Sequence, residues 1–171
     1  SARIENALKE NWDEILVVGH SFGAHIAISA LAQIERSAAL DEAQANVGFL
    51  SLGQVIPMVA FLPNAGQLRH DLYDISLSTA IYWVNITAPG DGCSFSLCDP
   101  VAVSALPLAG QTGPLVLSAA FSQALSPTRW RRLRWRFFKL HFQYLCAFDE
   151  TRHYDYFAIM AGPISLRKRF C

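Results

Sequence analysis

The chain has no excess of charge of either sign: its 171 residues carry 14 Lys plus Arg against 14 Asp plus Glu. No overall basic field points to nucleic acid, so no nucleic-acid partner is expected. Long apolar runs are also missing. Hydrophobic residues make up 52% of the chain, yet no uninterrupted stretch reaches the roughly 18 residues of a spanning helix. The best candidate, residues 47–62, is broken by Gly48, Gly53, Gln54 and Pro57. Cysteine is sparse. Cys93, Cys98, Cys146 and Cys171 fit no paired C-x-x-C zinc pattern. No metal or cofactor is expected, and reduced thiols in a cytosolic protein are the default. There is no secretory signal pattern, internal repeat, low-complexity tract or linker. The Asn85-Ile86-Thr87 glycosylation acceptor falls inside an apolar run and reads as chance.

What is present is a succession of α and β signals. Residues 2–11 have helical spacing at Ile4, Ala7 and Leu8. Ile15 to Val18 is a continuous apolar run, as expected of a parallel strand covered on both faces. From Phe22 onward the period becomes helical, through Ala24, Ile26, Ala27, Ala30, Leu31 and Ile34. Val47 to Leu52 and Ala80 to Ile86 read as two more strands, the latter ending in the turn signal "APGDG". Leu115 to Phe121 fits a strand or a short buried helix. Ser126-Pro127 is a helix start, with Ser as N-cap and Pro in the first turn. The segment after it, "TRWRRLRWRFFKLHFQYLCAF", fits a long basic helix or a short helix and then a strand. Strict alternation over Arg132 to Phe137 favours the strand. The expected class is α/β, a sheet of mostly parallel strands flanked by helices, in one domain over residues 1–171.

The first junction carries chemistry. Gly19-His20-Ser21-Phe22-Gly23 is a G-x-S-x-G with a strand before it and a helix after it. Serine at the tip of so tight a turn holds strained backbone angles, and glycines two residues away on each side avoid clashes. The hydroxyl then stands clear at the end of the sheet. The helix that follows aims its free N–H groups and positive end at the same place, with the Phe22 N–H set to hold a developing oxyanion. His20 points elsewhere on such a turn and is not taken as the base.

"VVGHSFGAHIAISAL" resembles the nucleophile elbow of the α/β-hydrolase superfamily. The resemblance in element order covers most of the chain, but only the elbow is a specific motif. It implies a serine hydrolase, esterase- or lipase-like, in which nucleophile, acid and histidine follow in that order. Ser21 would be the nucleophile. Asp91, just past the strand Ala80 to Ile86, would be the acid, with Asp99 in reserve. The base would be His141, at the end of a strand over Leu133 to Leu140, or alternatively His153 on a later polar loop. His70 precedes Asp91 and is out of order. Phe61, Leu62, Phe95 and Leu97 would suit an apolar acyl group. In that family several strands precede the elbow and one loop among them gives a second oxyanion donor. Here only a helix and one strand precede Ser21, so the expectation is the C-terminal part of a longer hydrolase-like protein, or a degenerate copy of one, with the elbow strand left at an open edge.

A second class of function is an interaction module that keeps the fold without the chemistry. Arg129, Arg131, Arg132, Arg134, Arg136 and Lys139 alternate with Trp130, Trp135 and Phe137. Such a stretch, residues 129–139, suits peripheral contact with an anionic membrane surface or an acidic partner.

Overall fold

The computed structural model describes residues 2–41, 43–104, 109–151 and 154–171. Four strands, β1 (Glu14–His20), β2 (Asn46–Leu52), β3 (Ile81–Thr87) and β4 (Leu115–Ser118), form one sheet in the order β1-β2-β3-β4. Every neighbouring pair is parallel. Each strand is thus added on the same side of the last. Right-handed crossovers that always step in one direction leave their helices on one face. That face carries α1 (Ala2–Leu8), α2 (Gly23–Arg36), α3 (Ile56–Ala60), α4 (Gly66–Leu77) and α5 (Pro100–Ser104). After β4 the chain passes to the other face and covers it with α6 (Phe121–Ala124), α7 (Pro127–Leu133), α8 (Phe137–His141), a 3-10 turn (Phe142–Leu145), α9 (Tyr156–Ala161) and α10 (Leu166–Phe170).

The period-2 geometry of the strands divides the core in two. Val47, Phe49, Ile81 and Trp83, with Ile15 and Val17, pack on Ile28, Leu31 and Leu72 of the first helical layer. Leu50, Leu52, Val84 and Ile86, with Leu16 and Val18, pack on Phe121, Leu140 and Tyr144 of the second. This two-sided burial explains why the strands read as continuous apolar runs. Asn85 is fully buried and bridges Ser51 and the Cys98 carbonyl (2.9 and 3.3 Å), so the acceptor triplet lies within the core. The four cysteines are free thiols.

One expectation is overturned, one is resolved between its alternatives and one holds in part. Arg132 to Phe137 is not a strand: α7 and α8 occupy that segment, and the last strand is β4. The alternation arises because two short helices meet at Arg134 to Arg136 with most side chains exposed. Leu115 to Phe121 is both of the readings offered, a short strand followed by the start of a buried helix. Ser126 holds the N-cap position of α7, but its side chain makes no capping bond, and its N–H donates to Asp149 (2.7 Å) instead.

The steric argument for the two elbow glycines holds for one of them. A Cβ on Gly19 would stand 2.6 Å from Ala24 Cα and 2.9 Å from the Gly23 carbonyl oxygen, both backbone atoms that cannot yield cheaply. A Cβ on Gly23 would meet nothing within 4 Å. Gly19→Ala is therefore expected to destabilise the fold by about 1–3 kcal/mol. Gly23→Ala should stay within about 0.5 kcal/mol of the parent. Urea midpoints of the two variants check this, and equal losses would refute it.

Candidate functional site

The strands point their C-terminal ends the same way, so the segments leaving β1, β2 and β3 meet along one edge of the sheet. At the end of β1, Ser21 has φ 55°, in the left-handed region. A non-glycine residue held there costs about 1–3 kcal/mol and needs its surroundings to enforce it. Two bonds do so: the Ser21 N–H donates to the Leu52 carbonyl (2.9 Å), and the Ser21 carbonyl accepts from Ala24 in the first turn of α2 (3.1 Å). The serine is half-buried and remains open to solvent on one side. Phe22 occupies the cap position of α2 with helical angles, its ring is exposed, and no described residue accepts a hydrogen bond from its N–H.

At the end of β3 the "APGDG" stretch makes the turn its composition announces, with Gly90 at φ 97°. The same turn sends Asp91 inward, where it is only 3% exposed. Its Oδ2 accepts from His141 Nδ1–H (2.8 Å) and from the Tyr144 hydroxyl (3.0 Å), while Oδ1 accepts from the Cys93 N–H (3.0 Å). Burial pushes this carboxyl upward, but the hydrogen bonds from His141 and the Cys93 N–H and the attraction of the imidazole outweigh it. The carboxyl is held below the ordinary aspartate range. The Tyr144 hydroxyl is raised by burial and by the Asp91 charge, so it stays a donor.

His141 is 4% exposed and sits at the C-terminal end of α8, not at a strand end. Its Nδ1 is committed to Asp91. Its Nε2 is buried and has no hydrogen-bond partner among the described residues. Buried polar atoms are satisfied so generally that one left open at a sheet edge calls for an explanation. The His141 backbone is held as well, since His20 Nε2–H donates to its carbonyl (2.9 Å) and the two rings lie 4.6 Å apart. Burial lowers the His20 pKa, and a carbonyl as partner requires the proton on Nε2.

The structure brings Asp91 and His141 together and places Ser21 on the same edge. Gly53 lies between them: it follows Leu52, whose carbonyl Ser21 holds, and a Cβ on it would stand 3.1 Å from His141 Cε1. The other candidates are used elsewhere. Asp99 accepts from the first N–H groups of α5 (Val101, 2.8 Å) and from Gln111 (2.8 Å). His70 is exposed and pairs with Asp74 (3.2 Å). His153 lies outside the described residues. Phe61, Leu62 and Leu97 are exposed, and Phe61 meets Phe95 edge-on at 6.4 Å.

Sequence reasoning missed His20, Gly53 and Tyr144. Nothing in the local sequence marks Tyr144 as a partner of a residue 53 positions away. Gly53 left a fainter trace, a glycine directly after a strand. At φ 50°, with a Cβ 2.6 Å from Tyr144 Cε2, it is the residue that leaves room for both rings. Gly53→Ala is expected to displace the His141 and Tyr144 rings. It should also destabilise by about 1–3 kcal/mol. Urea unfolding of the variant tests this, and an unchanged midpoint would refute it.

Two donor sets among the described residues could hold a metal. Ligand atoms of Asp91, Cys93 and His141 lie within 4.8 Å of one another, and this mixed O, S, N set suits zinc. Ligation through Nδ1 would require the Asp91 bond to open. The second set, His70, Asp71 and Asp74, has both carboxylates already paired with Arg36 (2.9 and 2.6 Å). A cavity of about 670 Å³ lies away from this edge, between α1 and the chain that follows α2. No helix among the described residues is long and apolar enough to cross a membrane. Comparison with family models, curated proteins and solved structures finds no match to this chain.

Proposed function

We propose that the chain is a hydrolase-like domain of the α/β-hydrolase type, acting on an ester or related acyl substrate. Ser21 Oγ attacks the carbonyl carbon and passes its proton to His141 Nε2. Asp91 fixes the imidazole by its Nδ1–H and compensates the charge the ring acquires. The Phe22 N–H, at the positive end of α2, donates to the oxyanion. Collapse of the tetrahedral intermediate breaks the ester C–O bond, the imidazolium protonates the leaving alcohol, and water then hydrolyses the acyl-serine by the same base. The reaction calls for no metal or cofactor.

The observation that carries this reading is the buried His141, tied to Asp91 through one ring nitrogen and uncommitted at the other, beside an edge where a serine is held at positive φ. A metal site uses the same residues but gives the strain at Ser21 no role. The test is labelling with a fluorophosphonate probe. The folded chain is expected to label at Ser21, and Ser21→Ala to lose the label. A folded chain that stays unlabelled overturns the reading and leaves the non-catalytic interaction module.

A further inference from the structure

We infer that α7 and α8 form a docking face for an anionic lipid bilayer that sets the candidate site against the membrane. The hydrolase reading then gains a substrate class, an ester whose acyl chain resides in lipid. The docking claim rests on the surface alone; the substrate claim rests on the reading of Ser21.

Three observations converge. The first is charge. Between Pro100 and Phe148 the sequence has no Asp or Glu, while Arg129, Arg131, Arg132, Arg134, Arg136 and Lys139 crowd into eleven positions. Of these only Arg129 is ion-paired among the described residues, with Asp149 at 3.0 Å. A chain of zero net charge has thus gathered nearly half its cations on one short hairpin. The second is exposed rings. Trp135 is 73% exposed, Phe138 77%, Phe137 57% and Phe142 53%. Aromatic rings held out among arginines have the composition of a helix lying in a lipid interface, where rings enter the acyl boundary and cations meet headgroups. A cavity of about 420 Å³ lined by Arg129, Arg132, Arg136, Lys139 and Phe142 offers a lipid phosphate several donors over an apolar floor. An acidic protein would satisfy the charges but leave Trp135 and Phe138 without an apolar medium.

The third is location. Phe142 lies 5.0 Å from the His20 ring and 6.1 Å from that of His141. Phe137 approaches to 3.4 Å of where a Cβ on Gly92 would stand, next to Asp91. The face and the candidate site therefore share a rim. A bilayer touching Trp135 and Phe138 lies beside the opening through which an acyl group would reach Ser21.

The test is co-sedimentation of the whole chain with phosphatidylcholine vesicles, with and without phosphatidylserine. Binding is expected only with phosphatidylserine and should weaken as salt rises. Each arginine changed to glutamine should lower partitioning about fivefold. Trp135→Ser with Phe138→Ser, both at exposed positions, should lower co-sedimentation with phosphatidylserine vesicles by about tenfold or more. Ser21→Ala should bind like the parent. No binding to anionic vesicles overturns the proposal. So does binding that the aromatic changes leave intact while heparin or RNA is bound equally well, which would mark a general polyanion surface. Vesicle binding without turnover of a vesicle-embedded ester, in a chain that does label at Ser21, overturns the substrate class alone. Vesicle binding by a chain that never labels keeps the docking face and removes the hydrolase.

Discussion

Exchange of Ser21 for alanine is expected to lower turnover of a simple aryl ester by about six orders of magnitude, with the fold unchanged. That is the usual loss when a nucleophile acting as one unit with its base is removed. The stability effect should be small and of mixed sign. Alanine at φ 55° suffers the same backbone strain as serine. The Ser21 N–H bond to Leu52 uses no side-chain atom. Activity near zero with an unchanged urea midpoint is thus the expected pair of results. A variant that keeps most of its activity would show that whatever turns over the ester lies elsewhere. A variant that loses activity only together with its fold would show a structural serine.

Asp91→Asn is expected to cost about 10⁴-fold in kcat, the loss typical when an orienting carboxylate becomes an amide. The geometry gives the reason. Asp91 Oδ2 receives two donors, the His141 ring and the Tyr144 hydroxyl. An asparagine can place its oxygen there only by turning its NH₂ towards the Cys93 N–H, donor against donor. The opposite orientation puts the NH₂ against His141 and selects the tautomer that protonates Nε2, the nitrogen needed as base. Either way the charge that compensates the imidazolium is gone.

The pH dependence of stability should change as well. The folded carboxyl is held below its ordinary value of about 3.9. Its ionic contacts therefore stabilise the fold fully above that value and are lost as pH falls through the lower, folded one. The parent should lose stability below about pH 4 more steeply than Asp91→Asn. Urea midpoints across that range measure the difference, and parallel curves would mean that the pair stores no such energy. A fall in kcat smaller than tenfold would remove Asp91 from the mechanism.

The elements most legible in the sequence were those with a local cause. The elbow, the three strands Glu14–His20, Asn46–Leu52 and Ile81–Thr87, and α2 are marked by runs and periods that neighbouring residues fix among themselves. Asp91 is singled out only through the resemblance, which expects an acid after this strand; a stretch of Pro, Gly and Asp at a strand end reads by itself as a plain turn. The segment of residues 129–139 misled because two helices too short for a full period imitate alternation once their side chains are mostly exposed.

Composition and pattern by themselves determined an α/β chain with a strained serine between a parallel strand and a helix, since steric limits on a tight turn and burial on both strand faces act locally. Only the tertiary structure decided that His141 meets Asp91 across 50 residues, with His20 and Tyr144 bracing the pair and Gly53 making room for it. A hydrogen bond between groups so far apart in the chain depends on how the second helical layer seats on the sheet. That seating is set by the packing of Leu140, Tyr144 and Phe121 against Leu52 and Ile86 as a body, and no local pattern encodes it.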